Sequence, residues 1–207
     1  MHQALKDLVR SQLADSISVM QSVMDDTSIS EAIVSAGEIT AAAMKSGHKL
    51  MVAGNGGSAA DSQHIAAEFV SRVTVDRPAL RAIALTVDSS ILTAIGNDYG
   101  YGSVFERQVE ALGQPGDVFL AISASGNSEN VIRALKRARA LGLTTIGLTG
   151  NGGGAMRGLC DHMAIVPSTS TMNIQESHLA LEHIFCMVVE HCYFGTDFGA
   201  KHQVLSK

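Results

Sequence analysis

The chain reads as an α/β protein, a doubly wound five-stranded parallel sheet in the order 2-1-3-4-5, preceded by two helices. Three observations predict this. From about residue 48 onward, short continuous apolar runs alternate with segments of helical period, the pattern of strands covered on both faces. Two loops rich in glycine and serine, 54–58 and 123–128, each follow an apolar run and open a helical segment, as loops at a topological switch point do. Finally, 46% of the 207 residues are hydrophobic and only 17% charged, enough apolar surface for a full core in one domain spanning 1–207.

Residues 4–24 set Leu5, Leu8, Val9, Leu13, Ile17 and Met20 at helical spacing, and 30–46 do the same with Ile33, Val34, Ile39, Ala43 and Met44. These leading helices occupy 1–47, and the α/β core follows over 48–194. Its strands are expected at 49–53, 82–86, 118–123, 144–148 and 162–166. Helices are expected from residue 57, in turns over 89–96 and 103–112, over 127–141, briefly at 154–159, and over about 173–193. Residues 195–207 read as a polar, frayed tail. In this strand order the first and third strands are neighbours, so both glycine-serine loops face one crevice.

Composition narrows the function. A net charge of −5 and pI near 5.9 give no broad basic footprint, so no nucleic-acid partner is expected and any phosphate must be held by local donors. Cys160, Cys186 and Cys192 form neither a disulfide framework nor a paired metal motif and suit a reducing compartment; they read as small buried apolar residues. No apolar run approaches bilayer length, and the first residues lack the apolar block of a signal peptide. A cytoplasmic protein without a membrane partner is expected.

Chemistry concentrates in a few places. The turn at Gly54-Asn55-Gly56-Gly57 opens a helix whose free N–H groups and dipole can hold a phosphate without a lysine. The second loop surrounds Gly126 with Ser123, Ser125 and Ser128 at another helix start, suited either to enclosing an anion or to ordinary capping. His64 and Glu68 share one helix face. On the last helix Gln175 and His183 differ by about 80° around the axis, so both can face one cleft. Together these four would make a divalent-metal site with a replaceable position. Asn97 and Asp98 stand before a turn, able either to meet polyol hydroxyls or simply to end a helix. Arg133, Lys136, Arg137 and Arg139 read as a solvated face, and His162, His178, His191 and His202 as surface or core histidines. The first loop fits the dinucleotide pattern G-x-G-x-x-A loosely at Gly54, Gly56 and Ala59, but Asp76 and Asp88 are poorly placed for a ribose and no Walker lysine follows.

The blocks Gly54-Asn-Gly-Gly-Ser-Ala-Ala-Asp, Gln63-His-Ile-Ala-Ala-Glu68, Leu92-Thr-Ala-Ile-Gly-Asn-Asp98, Ser123-Ala-Ser-Gly-Asn-Ser128 and Ile174-Gln-Glu176 with His183 resemble the phosphoheptose isomerase family, of the sugar-isomerase (SIS) group. The resemblance runs from residue 50 to about 195. It implies interconversion of sedoheptulose 7-phosphate and D-glycero-D-manno-heptose 7-phosphate, the entry to heptose for bacterial surface polysaccharide. It implies a metal set of His64, Glu68, Gln175 and His183, with zinc as the ion, one per subunit. It places the substrate at Asn55, Gly56, Gly57, Glu68, Asn97, Asp98, Ser123, Ala124, Ser125, Ser128 and Gln175, and Glu68 and His183 as catalytic residues. It implies a homotetramer with active sites between subunits. Two departures stand out: Ala124 sits where the family often has threonine, and 168–172 lacks an acidic residue common in that segment. Non-catalytic SIS regulators that bind a replication initiator share this fold, but they lack the His and Glu pair that is present here.

Overall fold

In a computed structural model of the chain, residues 1–195 are described; all but Gly195 of the expected tail, and His202, lie outside the described residues. The leading helices α1 (His2–Asp25) and α2 (Thr27–Lys45) run into β1 (Leu50–Gly54), α3 (Gly57–Val70), β2 (Ala82–Ala84), α4 (Ser89–Tyr99), α5 (Glu106–Leu112), β3 (Val118–Ser123), α6 (Glu129–Ala140), β4 (Thr144–Thr149), β5 (His162–Ile165) and α7 (Thr171–Phe194). All strands are parallel, in the order β2-β1-β3-β4-β5. Among the described residues, no helix is long and apolar enough to cross a membrane.

Strand alternation builds two cores. Leu50, Val52, Leu120 and Ile122 point to the face covered by α2, α3 and α7, where Ile33, Ile65, Phe69, Phe185 and Val189 complete the packing. Met51, Ala53, Phe119 and Ala121 point to the opposite face, covered by α5 and α6 through Val109, Val131, Leu135 and Ala138. The helices after β1 and β3 therefore leave on opposite faces, and a crevice opens at the carboxyl ends of these two neighbouring strands. Close approach of α2 to α7 needs Gly37, where a Cβ would lie 2.4 Å from the Val188 side chain.

Two boundaries differ from the sequence reading for physical reasons. The short helix expected at 154–159 is instead a 3₁₀ turn, Asn151–Met156, in which Gly152, Gly153 and Gly154 take φ of 72°, 92° and 52°; three left-handed glycines cannot hold a regular turn. The helix expected from 127 starts at Glu129, because Asn127 bonds back to Ser125 through both its backbone and side-chain nitrogens. The basic residues of α6 lie at the surface as expected, but Arg133, Arg137 and Arg139 also pair with Glu106, Glu110 and Asp161 of neighbouring segments.

Candidate active site

The serine loop is bent by Gly126, whose φ is 65° and whose added Cβ would fall 2.2 Å from the Gly153 carbonyl oxygen. The tri-glycine turn thus packs directly beneath it, tied by the Met156 N–H to the Gly126 carbonyl at 3.0 Å and by the Ala155 N–H to Asn127 Oδ1 at 2.9 Å. Ser128 stands at the N-cap of α6 yet makes no side-chain cap bond; its hydroxyl meets that of Ser123 at 2.9 Å. Simple capping would have turned Ser128 Oγ onto the helix. Instead two hydroxyls meet at the edge of the crevice, an arrangement compatible with anion binding.

Helix α3 begins the same way, with Gly56 at its N-cap and no side-chain cap. Gly54 lets helix and strand meet, since a Cβ there would lie 2.6 Å from the Ser58 side chain. Both helix starts border a cavity of about 210 Å³ lined by Asn55, Gly57, Ser58, Ile122, Ser123, Ala124, Ser125, Ser128, Thr171 and Gln175. Two positive dipole ends and four serines there, with no lysine or arginine in the lining, suit a phosphate group. Ala124 lines it without a hydroxyl.

Alongside, α3 and α7 bring three ligand-type side chains together. His64 Nε2 lies 2.8 Å from His183 Nε2 and 3.7 Å from Glu68 Oε1, and the ligand atoms of the trio all lie within 4.8 Å of one another. Two imidazole nitrogens and a carboxylate oxygen this close together would hold a divalent cation between them. The half-exposed N, N, O set fits a catalytic divalent ion with an open position.

The hydrogen bonds of the Gln175 side chain go to Asp61 rather than to this trio. Its amide nitrogen donates to Asp61 at 3.1 Å, and its side chain fills the space over Gly57, where a Cβ would meet it at 2.1 Å. Because a carboxylate only accepts, this bond turns Gln175 Oε1 away from Asp61. Asp61 is buried, and desolvation holds its carboxyl above the usual range, against the opposing pull of Gln175 and His64. Sequence reasoning quoted Asp61 within a motif but gave it no role; its position three residues before His64, on the same helix, was the available signal.

Asn55 exchanges two side-chain bonds with Asn130, at 2.8 and 2.9 Å, and accepts one from Tyr101 Oη at 3.2 Å. Asn130 and Tyr101 were likewise not singled out from the sequence. Asn97 and Asp98 are exposed on α4, bonded to one another at 2.8 Å, and do not line the cavity. Gly56 supports the turn without lining it. Asp88, one of the two acids weighed for a dinucleotide ribose, caps α4 by accepting from the Ile91 N–H. Cys160 and Cys186 are poor nucleophiles: burial pushes Cys160 up to about 12 and raises Cys186 as well.

Comparison with known proteins agrees with this geometry. Residues 13–150 match the SIS domain family. The chain is 51% identical to the phosphoheptose isomerase of Clostridium acetobutylicum over 92% of its own length and 97% of that protein. It is 50% identical to phosphoheptose isomerase 2 of Campylobacter jejuni over 95% and 98% of the two chains. The solved structure of the phosphoheptose isomerase from Neisseria gonorrhoeae superposes with a TM-score of 0.85 at 42% identity, covering 90% of this chain and 98% of that one.

Proposed function

We infer that this chain, which belongs to the SIS-domain family and within it to the phosphoheptose isomerases, is an aldose-ketose isomerase interconverting sedoheptulose 7-phosphate and D-glycero-D-manno-heptose 7-phosphate. The observation that carries this reading is the His64, Glu68 and His183 trio standing beside a phosphate cradle lined by no lysine or arginine, with α3 contributing to both.

Isomerisation moves a proton between C1 and C2 and needs a base at carbon, an acid at oxygen, and stabilisation of the enediolate. In our reading Glu68 and His183 share the proton transfers, one from each helix. The 7-phosphate sits against the N-termini of α3 and α6 among Ser123, Ser125, Ser128 and the Ala124 backbone. Binding energy spent at that far end fixes the reacting end. Asn55, Gly56, Gly57 and Gln175 border the chain of hydroxyls between. Zinc is the ion we assign, held by His64, Glu68 and His183 with the Gln175 amide oxygen as a fourth donor. When bound, it polarises the substrate oxygens at C1 and C2.

We also assign a cytoplasmic homotetramer with sites completed between subunits. Two features support it: Leu5, Leu8, Val9, Leu13 and Ile17 stand exposed along α1, and α4, which carries Asn97 and Asp98, has no fully buried residue in the single chain. The test is conversion of sedoheptulose 7-phosphate followed by NMR, before chelation, after it, and after zinc is restored. Aldose formation that falls on chelation and returns with zinc is expected. No conversion in any state overturns the enzyme in favour of a non-catalytic SIS binding module.

A further inference from the structure

Glu68 sits in the last turn of α3, where a helix has no partners of its own for its final four carbonyls and tends to fray. Here two of those carbonyls are held by Arg77, whose side chain is fully buried. Its Nη2 donates to the Glu68 carbonyl at 2.7 Å, and its Nη1 to the Phe69 carbonyl at 2.6 Å. A guanidinium is suited to this, because it is always charged, complements the negative helix end, and offers several donors in a fixed plane. The Ser71 N–H takes the Ala67 carbonyl at 2.8 Å, so the turn that carries the carboxylate is fastened at three successive residues.

The other edge of the same guanidinium reaches α7. Arg77 Nε donates to Glu190 Oε1 at 2.7 Å, and Glu190 also accepts from the Val73 N–H at 3.2 Å and Thr74 Oγ1 at 3.3 Å. Glu190 is buried and lies seven residues beyond His183 on α7, nearly on the same face. One buried ion pair therefore ties the end of the helix that carries His64 and Glu68 to the helix that carries His183.

We propose that Arg77 and Glu190 form a buried clamp that sets the spacing of Glu68 from His183, making both of them positioning residues for the isomerisation. The inference rests on the reading of the trio as the site of proton transfer and cation binding. It reaches that site through the Glu68 backbone, with no contact between Arg77 and the reacting atoms. The clamp holds the C-terminal end of α3 and the phosphate cradle lies at its N-terminal end, with His64 between them on a helix of fourteen residues, so the clamp acts on chemistry and cation binding rather than on phosphate affinity.

The experiment compares the unsubstituted enzyme with Arg77→Lys, with the double variant Arg77→Met/Glu190→Gln, and with Lys49→Met. The double variant leaves no buried charge unpaired and keeps an amide oxygen for the Val73 N–H. Lys49→Met breaks the Lys49–Asp117 pair at the other end of β1 and serves as a control of lowered stability outside the site. Zinc affinity is read by competition with a chromophoric chelator, kcat and KM by NMR, and stability by thermal melting. Loss of the clamp is expected to weaken zinc binding and lower kcat on the order of tenfold to a hundredfold while KM stays within about twofold, with Arg77→Lys intermediate. A folded double variant with unchanged zinc affinity and kcat overturns the clamp, as does an equal loss of zinc affinity in a Lys49→Met control melting at the same temperature. If the unsubstituted enzyme neither binds zinc nor converts substrate, the isomerase reading fails first and the clamp with it.

Discussion

Glu68 is the side chain on which most of the proposed chemistry converges: it meets His64 across one helical turn and faces His183 from the neighbouring helix. Replacing it with glutamine keeps its size but turns one acceptor oxygen into an N–H donor and removes its basicity. Turnover should fall on the order of a hundredfold or more with the circular dichroism spectrum unchanged; near-normal turnover would remove Glu68 from the mechanism. Glycine positions allow a second test at this scale. Gly126→Ala sets a Cβ against the Gly153 carbonyl, in a backbone conformation that L side chains rarely adopt, so the serine loop must move. We expect a rise in KM of about tenfold and a lower melting temperature. Gly152→Ala, equally left-handed at φ 72° but with open space around it, should cost only about 1 to 2 kcal/mol and leave KM unaltered.

Among the elements, α7 carries the clearest internal conflict. His178 and Glu182, one turn apart, are buried, and neither ring nitrogen nor either carboxyl oxygen makes a hydrogen bond. Burial pushes Glu182 up to about 8, with the Asp61 carboxylate adding to the effect. A methionine of similar length would remove an orphaned carboxyl, so Glu182→Met should stabilise the protein by about 1 to 3 kcal/mol in urea unfolding; destabilisation would mean that the carboxyl is satisfied in solution. Burial likewise holds His178 down to about 4, from 6.5, although the nearby Thr149 backbone favours its charged form. Above pH 6.5 the ring is neutral whether folded or not. As pH falls from 6.5 to 4 the unfolded chain takes up a proton that the folded one refuses, and about 3 kcal/mol of stability is lost. His178→Gln should abolish that part of the acid slope, as read from unfolding curves across this window.

The same helix shows what the sequence could and could not reveal. Its length, its His183 face and its place after the fifth strand follow from hydrophobic period and motif; the strands are legible because buried parallel strands are continuous apolar runs, while their order is expected only as the commonest one for a doubly wound five-stranded sheet, and the structure has that order. The hydroxyl pair of Ser123 and Ser128, in which Ser128 makes no side-chain cap bond, depends on χ1 angles that spacing does not encode. Nor does spacing show that the Gln175 amide is taken by Asp61, or that Asn130 and Tyr101 hold Asn55, since these partners are brought together only by the crossover of the sheet. The glycine turn at 151–156 was misread because helical-period residues flank it, while the close approach to Gly126 that demands left-handed glycines is a tertiary constraint.

On the scale of the molecule, the proposed sharing of sites between subunits rests on where α1 and α4 stand in the single chain. The cavity at the serine loop suits a phosphate group, but Asn97 and Asp98 stand outside it, and α4 has no fully buried residue, only Leu92 and Ile95 packing partly against the second core. Meanwhile α1 exposes Leu5, Leu8, Val9 and Leu13 along one helix, each more than half accessible, a surface far more apolar than a solvated helix requires. These facts fit together if subunits bury α1 and α4 against one another and so enclose the rest of the sugar. Leu8→Glu with Leu13→Glu sets charges into that contact while touching no residue of the trio or the cradle. Analytical ultracentrifugation should then show a species smaller than the unsubstituted assembly. If the sites are shared, turnover should fall along with the mass, although the circular dichroism spectrum and the zinc affinity of the trio persist. A smaller species with full turnover would show that one chain completes its own site, and Asn97 and Asp98 would then have to reach substrate by a movement of α4 within the subunit.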